Sequence, residues 1–235
     1  FKRIIIAGDG GEALQLVRSH VPDIIVSDVM MPRMNGYKLC KTIKEDINIS
    51  HIPVILLTAR DDRQSQISGY KNGADGYLSK PFEVEMLMEL IRNRLKNREY
   101  TKKRYLNAGL IPTPEESTIS LTDETFLIKL NSIIQENIDN TNLGIQFICQ
   151  EVGLGRSSLY NKLKALTGMG ANEYISKLRI EKAITLISGT DMPFSEIAEK
   201  TGFTTPSYFS TAFKQYTGET PSQYKERKKK GLAGK

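Results

Sequence analysis

The chain has 235 residues and a globular composition, 39% hydrophobic and 26% charged, long enough for two ordinary domains with their own cores. No apolar run approaches the roughly 18–20 residues that cross a bilayer, and no leader or transit pattern is visible, so a soluble cytoplasmic chain is expected. Cys40 and Cys149 stand far apart and alone, and His20 and His51 have no Cys or His at ligand spacing, which argues against a disulfide framework and a zinc ligand set. The net charge of +6 is unevenly spread. Residues 1–98 carry 15 Lys+Arg against 12 Asp+Glu, residues 99–142 carry 4 against 7, and residues 143–235 carry 14 against 8. The basic excess sits in the last third, where a polyanionic partner is expected, although Lys228-Lys229-Lys230 also reads as a solvated tail.

Along the first hundred residues short apolar runs alternate with helical patterns. Ile4–Ala7, Ile24–Ser27, Val54–Leu57 and Gly76–Ser79 read as strands, and Glu12–Ser19, Gly36–Glu45, Asp62–Asn72 and Glu83–Lys96 as amphipathic helices. Continuous β-branched runs separated by helices predict a parallel sheet buried on both faces, with right-handed crossovers. In such sheets chemistry collects beyond the C-terminal strand ends. Asp28, Thr58 and Lys80 fall there, an acid, a hydroxyl and an ammonium ending three strands. Pro81 after Lys80 fits a tight, cis-capable turn. The bland alternative is three ordinary loop residues.

Asp28-Val29-Met30-Met31-Pro32 with Asn35-Gly36, Pro53–Thr58-Ala59, Gly73-Ala74-Asp75-Gly76-Tyr77 and Lys80-Pro81-Phe82 together resemble a CheY-like receiver domain, over about residues 3 to 97. The resemblance implies a flavodoxin-like α/β fold and phosphoryl transfer from a histidine kinase to Asp28. It also implies that Lys80 pairs with phosphoryl oxygens, Thr58 closes onto them and Tyr77 turns inward. Receivers open with a strand ending in two acidic residues that hold Mg²⁺. This chain begins at what corresponds to the second strand, and Asp9, in the turn Gly8-Asp9-Gly10-Gly11, does not match that pair. Only the Asp28 carboxylate and the Met30 carbonyl match the family's metal ligands, although Mg²⁺ is expected for a complete receiver. The expectation is therefore an α/β segment incomplete at its N-terminus, a fragment of a longer polypeptide; a naturally degenerate receiver is the alternative.

Between Asn97 and Asp123 no apolar periodicity is sustained, and Ile111-Pro112-Thr113-Pro114 suggests a semi-extended tether. The expected organisation is a receiver at 1–97, a linker at 98–123, a second domain at 124–228 and a basic tail at 229–235. From Thr122 onward the pattern is helical, and an all-α domain is predicted. Phe126, Leu127, Leu130, Ile133, Ile134 and Ile138 line one side of its first helix.

Two stretches then resemble each other at an offset of about 50 residues: Ile148–Gly153 matches Ile197–Gly202, and Leu159, Leu163, Leu166, Thr167 and Gly168 match Phe209, Phe213, Tyr216, Thr217 and Gly218. A small residue, a Gly four positions later and an apolar-periodic helix describe two helices crossing at a tight turn. Cys149 takes the small position and reads as core. In the second unit Thr205 caps a helix, Pro206 takes its first position, and Tyr208, Phe209, Ala212, Phe213 and Tyr216 are expected inside. Arg156, Ser157, Asn161, Lys162 and Lys164 in the first unit, and Ser207, Ser210, Thr211 and Lys214 in the second, are expected to face outward. Small polar and amide groups flanked by Lys suit base edges and phosphates, though a solvated face looks similar. The helix between the units, about Asn172–Ile187, would hold the two recognition helices apart.

Gly202-Phe203, Tyr208-Phe209-Ser210, Phe213-Lys214, Gly218 and Thr220-Pro221-Ser222-Gln223-Tyr224 resemble an AraC/XylS-type DNA-binding domain covering about 124–228. The resemblance implies base reading by Ser157 and Asn161 and by Ser207 and Thr211, with Arg156, Lys162 and Lys214 nearby on double-stranded DNA. Many relatives carry Arg where Asn161 and Thr211 stand, so weaker or shape-based readout is expected. Together the two halves look like the output end of a hybrid two-component regulator, whose parent chain would be anchored in the inner membrane. Expected partners are the histidine kinase, a second copy through the Asp62–Lys96 face when active, and RNA polymerase. Two other readings stand beside it: a phosphohydrolase with Asp28 as nucleophile, disfavoured because no second acid adjoins Asp28, and a phosphorylation-independent receiver acting as an interaction module.

Overall fold

The computed structural model describes residues 3–59, 73–107 and 120–233. By its internal contacts the chain divides into two units, Phe1–Leu127 with Asn161–Gly168, and Ile128–Tyr160 with Met169–Lys235.

The first unit is built on three parallel strands, β1 (Ile25–Asp28), β2 (Val54–Ala59) and β3 (Gly76–Lys80), in the order β1-β2-β3. Val54, Ile55 and Leu56 are fully buried, as a strand covered on both faces requires. The helices are α1 (Gly10–His20), α2 (Gly36–Glu45) and α3 (Val84–Asn107). Asp9 caps α1, accepting from the N–H groups of Gly11 at 2.7 Å and Glu12 at 3.1 Å, and Asn35 caps α2 through the N–H of Lys38 at 2.9 Å. Leu39, Cys40 and Ile43 of α2 pack with Ile49, Ile52, Val54 and Leu56 in one core cluster.

Three expectations are corrected here. Ile4–Ala7 forms no strand, and Ile4 and Ile6 are 75% and 84% exposed. A β-branched run becomes a strand only where a neighbouring strand takes its N–H and C=O groups, and the described sheet consists of β1, β2 and β3 alone. Helix α3 continues to Asn107, well into the stretch read as a tether. Cys149 is partly exposed and not a fully buried core residue. The helix expected at Asp62–Asn72 and the Pro segment after Ile111 lie outside the described residues.

From residue 121 onward the described structure is helical: α4 (Leu121–Glu136), α5 (Ile145–Val152), α6 (Arg156–Thr167), α7 (Ala171–Gly189), α8 (Phe194–Lys200), α9 (Pro206–Thr217) and α10 (Pro221–Ala233). The expected side of α4 is inside, with Phe126, Leu127, Leu130, Ile133 and Ile134 all buried, and Ile138, in the turn after the helix, is buried as well. In the second unit Ile180, Ala183 and Ile187 of α7 meet Ile197, Ala198, Phe203, Phe209, Phe213 and Tyr224. Its rings form a continuous run, Phe203–Phe209 at 5.3 Å, Phe209–Phe213 at 5.7 Å and Phe213–Tyr224 at 5.6 Å between centroids.

Candidate phosphoacceptor site and nucleic-acid interface

The register of the sheet aligns Asp28 with Leu57, Thr58 with Ser79 and Ala59 with Lys80. Asp28, Thr58 and Lys80 therefore gather at one edge, the C-terminal ends of all three strands. Lys80 Nζ lies 2.5 Å from Asp28 Oδ2, with both side chains a little under half exposed. The Lys80–Pro81 peptide is cis. Thr58 is 1% exposed, and its hydroxyl has no hydrogen-bond partner among the described residues. Tyr77 is half-buried against the core cluster of Leu39, Ile43 and Leu56. Behind the acid, a Cβ on Gly36 would stand 2.3 Å from the Asp28 carbonyl oxygen, so the first turn of α2 presses on the loop that carries Asp28 in a way only glycine permits.

The later helices pair as expected. α5 and α6 join at Gly153 with φ 71°, and α8 and α9 at Gly202 with φ 72°, both left-handed conformations that end a helix sharply. Thr205 caps α9, its side chain accepting from the N–H of Tyr208 at 3.1 Å, with Pro206 at the first position. On α9 Ser207, Thr211 and Lys214 are exposed and Ser210 half-buried; on α6 Arg156, Ser157, Tyr160 and Lys164 are exposed and Asn161 half-buried.

Residues 1–92 match the response regulator receiver domain family and residues 148–227 match a helix-turn-helix domain family. The chain is 42% identical over 224 residues to histidine kinase P4 of Formosa agariphila, covering 95% of this chain and 16% of that protein. It is 30% identical over 181 residues to the probable transcriptional regulator ycf29 of Pyropia yezoensis, covering 72% of this chain and 82% of that protein. It is 29% identical over 227 residues to the transcriptional regulatory protein HptR of Staphylococcus aureus, covering 95% of this chain and 87% of that protein. The chain belongs to the DNA-binding response regulators. It joins a receiver to an AraC-type helix-turn-helix domain.

This response regulator's described residues do not assemble the Mg²⁺ site of the family. Mg²⁺ demands a near-octahedral set of oxygens, and no cluster of three or more His, Cys, Asp or Glu occurs among the described residues. The Asp9 carboxylate is committed to the α1 N–H groups and to an ion pair with Arg33, interactions that hold its pKa below the ordinary carboxylate value, the Glu12 N–H first among them. Met30 is present as expected in the loop after β1, with its side chain exposed.

On the DNA-binding side one residue expected to face outward does not. Lys162 is fully buried. Its ammonium donates to Asp123 Oδ1 and, at 2.7 Å, to the Ser50 hydroxyl, and lies 5.1 Å from the Phe126 ring centroid. Burial depresses the Lys162 pKa against the pull of Asp123. Burial alone would raise Asp123, but the Lys162 ammonium and hydrogen bonds from Lys162, Ser50 and Ser120 outweigh it and leave the carboxyl below its ordinary value. Tyr208 and Tyr216, expected inside, are 55% and 40% exposed. Tyr208 packs against Phe203 with ring centroids 5.8 Å apart, and the Tyr216 hydroxyl reaches Glu181 at 3.3 Å, so each ring lies at the rim of the core.

The residue that sequence reasoning missed is Tyr160, 53% exposed on α6. Ser157, Tyr160, Asn161 and Lys164 follow i, i+3, i+4, i+7 spacing and share one helix face. At an offset of 50 they map onto Ser207, Ser210, Thr211 and Lys214. The same offset sends Lys162 to Ala212, a position read as inward. The signal that Lys162 packs inside was therefore present in the repeat.

Proposed function

We propose that the chain is the output segment of a cytoplasmic transcription regulator that accepts a phosphoryl group on Asp28 from a histidine kinase and binds double-stranded DNA through α6 and α9. The observation that carries the DNA-binding half is the repeated stripe: Ser157, Tyr160, Asn161 and Lys164 recur at the same spacing as Ser207, Ser210, Thr211 and Lys214, with Ser and Lys at the two ends of both. Ser157, Asn161, Ser207 and Thr211 meet base edges, while Arg156, Lys164 and Lys214 meet phosphates.

On the receiver side, an acyl phosphate at Asp28 adds about two negative charges beside Lys80. The ammonium then moves from the carboxylate to the phosphoryl oxygens, and the Thr58 hydroxyl, without a partner among the described residues, gains an acceptor. Tyr77, on the same strand as Lys80, follows that rearrangement. The chain turns over no substrate of its own. It forms dimers when phosphorylated and acts at promoters alongside RNA polymerase. Likeness to a protein named histidine kinase over 95% of this chain supports a hybrid parent that carries kinase and regulator on one polypeptide.

Selection of bound sequences from random DNA with the whole chain tests the reading. An enriched motif whose affinity falls steeply with salt supports it, and affinity indifferent to salt overturns it. A second reading, a receiver that never takes phosphate and serves as an interaction module, draws support from the engaged Asp9 carboxylate. Acetyl phosphate separates the two: label that is lost in Asp28→Asn argues against the second. A phosphatase assay with turnover beyond one phosphate per chain would restore the enzyme reading.

A further inference from the structure

Lys162 stands where a phosphate contact is expected and yet has no exposed surface. Its surroundings are built for an ammonium: the Asp123 carboxylate, the Ser50 hydroxyl at 2.7 Å and the face of Phe126 at 5.1 Å. Ser50 also donates to Asp123 Oδ1 at 2.7 Å, and Asp123 is itself 2% exposed. All four residues lie in the same compact unit. A buried charge with a complete set of partners holds one geometry, because leaving either partner alone in a dry site is strongly unfavourable.

We propose that Lys162 is a positioning residue for DNA binding: clamped to Asp123, Ser50 and Phe126, it sets the rotation of α6 about its own axis and touches no phosphate. The inference rests on the DNA-binding reading above. Its physical logic is the helix period. Successive residues are about 100° apart around an α-helix, so with Lys162, Leu163 and Leu166 turned inward, Ser157, Tyr160, Asn161 and Lys164 form the outward stripe. Releasing Lys162 to solvent would turn the stripe away from any groove that it reads. In the second unit of the repeat the corresponding place is taken by Ala212, half-buried against an aromatic core, so α9 is set by ring packing and α6 by an ion pair.

The test measures affinity of the whole chain for a duplex recovered by selection, as a function of salt, in wild type, Lys162→Met, Asp123→Asn, Lys164→Met and the double variant Lys162→Met with Asp123→Leu. Each phosphate neutralised contributes about 0.9 to the slope of log affinity against log salt. The expected result is that Lys164→Met lowers the slope by about 0.9, while Lys162→Met and Asp123→Asn keep the wild-type slope and bind about tenfold more weakly. The apolar double variant removes both charges together and recovers to within about threefold of wild type. A slope lowered by about 0.9 in Lys162→Met, single variants that bind as wild type, or a double variant no better than either single overturns the proposal. Should the singles fail to fold, the slope of the folded double variant decides in the same way. A wild-type chain that binds no DNA overturns the functional reading itself, an outcome visible before any variant is compared.

Discussion

Lys80 Nζ rests 2.5 Å from Asp28 Oδ2 at the open end of the sheet, each side chain a little under half exposed. An ion pair this accessible contributes only about 0–1 kcal/mol to stability, because water screens it. Its value is in where it holds the ammonium. Lys80→Met is therefore expected to leave the free energy of unfolding, read by urea titration, within about 0.5 kcal/mol of wild type. The same variant should take label from acetyl phosphate and yet lose the change in DNA affinity that labelling causes. A large loss of stability would show that the pair serves the fold.

Thr58 behaves in the opposite sense. Its hydroxyl is buried without a partner among the described residues, which costs about 1–3 kcal/mol. Thr58→Val keeps the shape and removes the orphan, so unfolding should become harder by roughly 1 kcal/mol while the response to phosphorylation disappears. Urea unfolding and acetyl phosphate titration of DNA binding on the same preparation check both halves.

The sheet and the gathering of Asp28, Thr58 and Lys80 at its end are legible because parallel strands are covered on both faces, which leaves continuous apolar runs such as Val54–Leu57, and because strand ends follow from those runs. Residue type does not by itself fix location. Lys162 is a lysine, which favours an outward position, but its repeat partner Ala212 marks the place as inward. Tyr208 and Tyr216 fit the apolar period, yet a phenol carries a polar end and settles at the rim of a core more readily than in its centre. Ile4–Ala7 has the composition of a strand, but a strand is made by its neighbour, and composition does not supply one.

His51 carries a pH dependence. Burial first, and then the charges of Arg98, Lys162 and Lys44, push its pKa from 6.5 down to about 3, with Asp123 opposing them. The unfolded chain takes up a proton below 6.5 while the folded chain stays neutral until about 3, so the folded state loses stability as pH falls through that window. Between pH 7 and 5 the loss is about 2 kcal/mol. Urea midpoints at several pH values should show it in wild type, and His51→Gln should flatten the dependence. Equal pH dependence in both proteins would mean that His51 protonates as readily in the folded chain.

The two inter-helix glycines look equivalent in sequence and differ in their surroundings. Both hold left-handed backbone, φ 71° at Gly153 and φ 72° at Gly202. A Cβ at Gly153 would meet nothing within 4 Å, whereas at Gly202 it would come within 2.3 Å of the Ile138 carbonyl oxygen. Gly153→Ala should therefore suffer only the backbone penalty, about 1 kcal/mol. Gly202→Ala adds a clash with main chain that cannot rotate away, and about 3 kcal/mol or more is expected. The clash would push the α8–α9 turn off Ile138 and shift α9, so DNA affinity should fall with stability in Gly202→Ala and stay near wild type in Gly153→Ala. Equal losses at the two sites, read by urea unfolding and by titration against one duplex, would show that φ alone sets the cost and that the close approach at Ile138 relaxes freely.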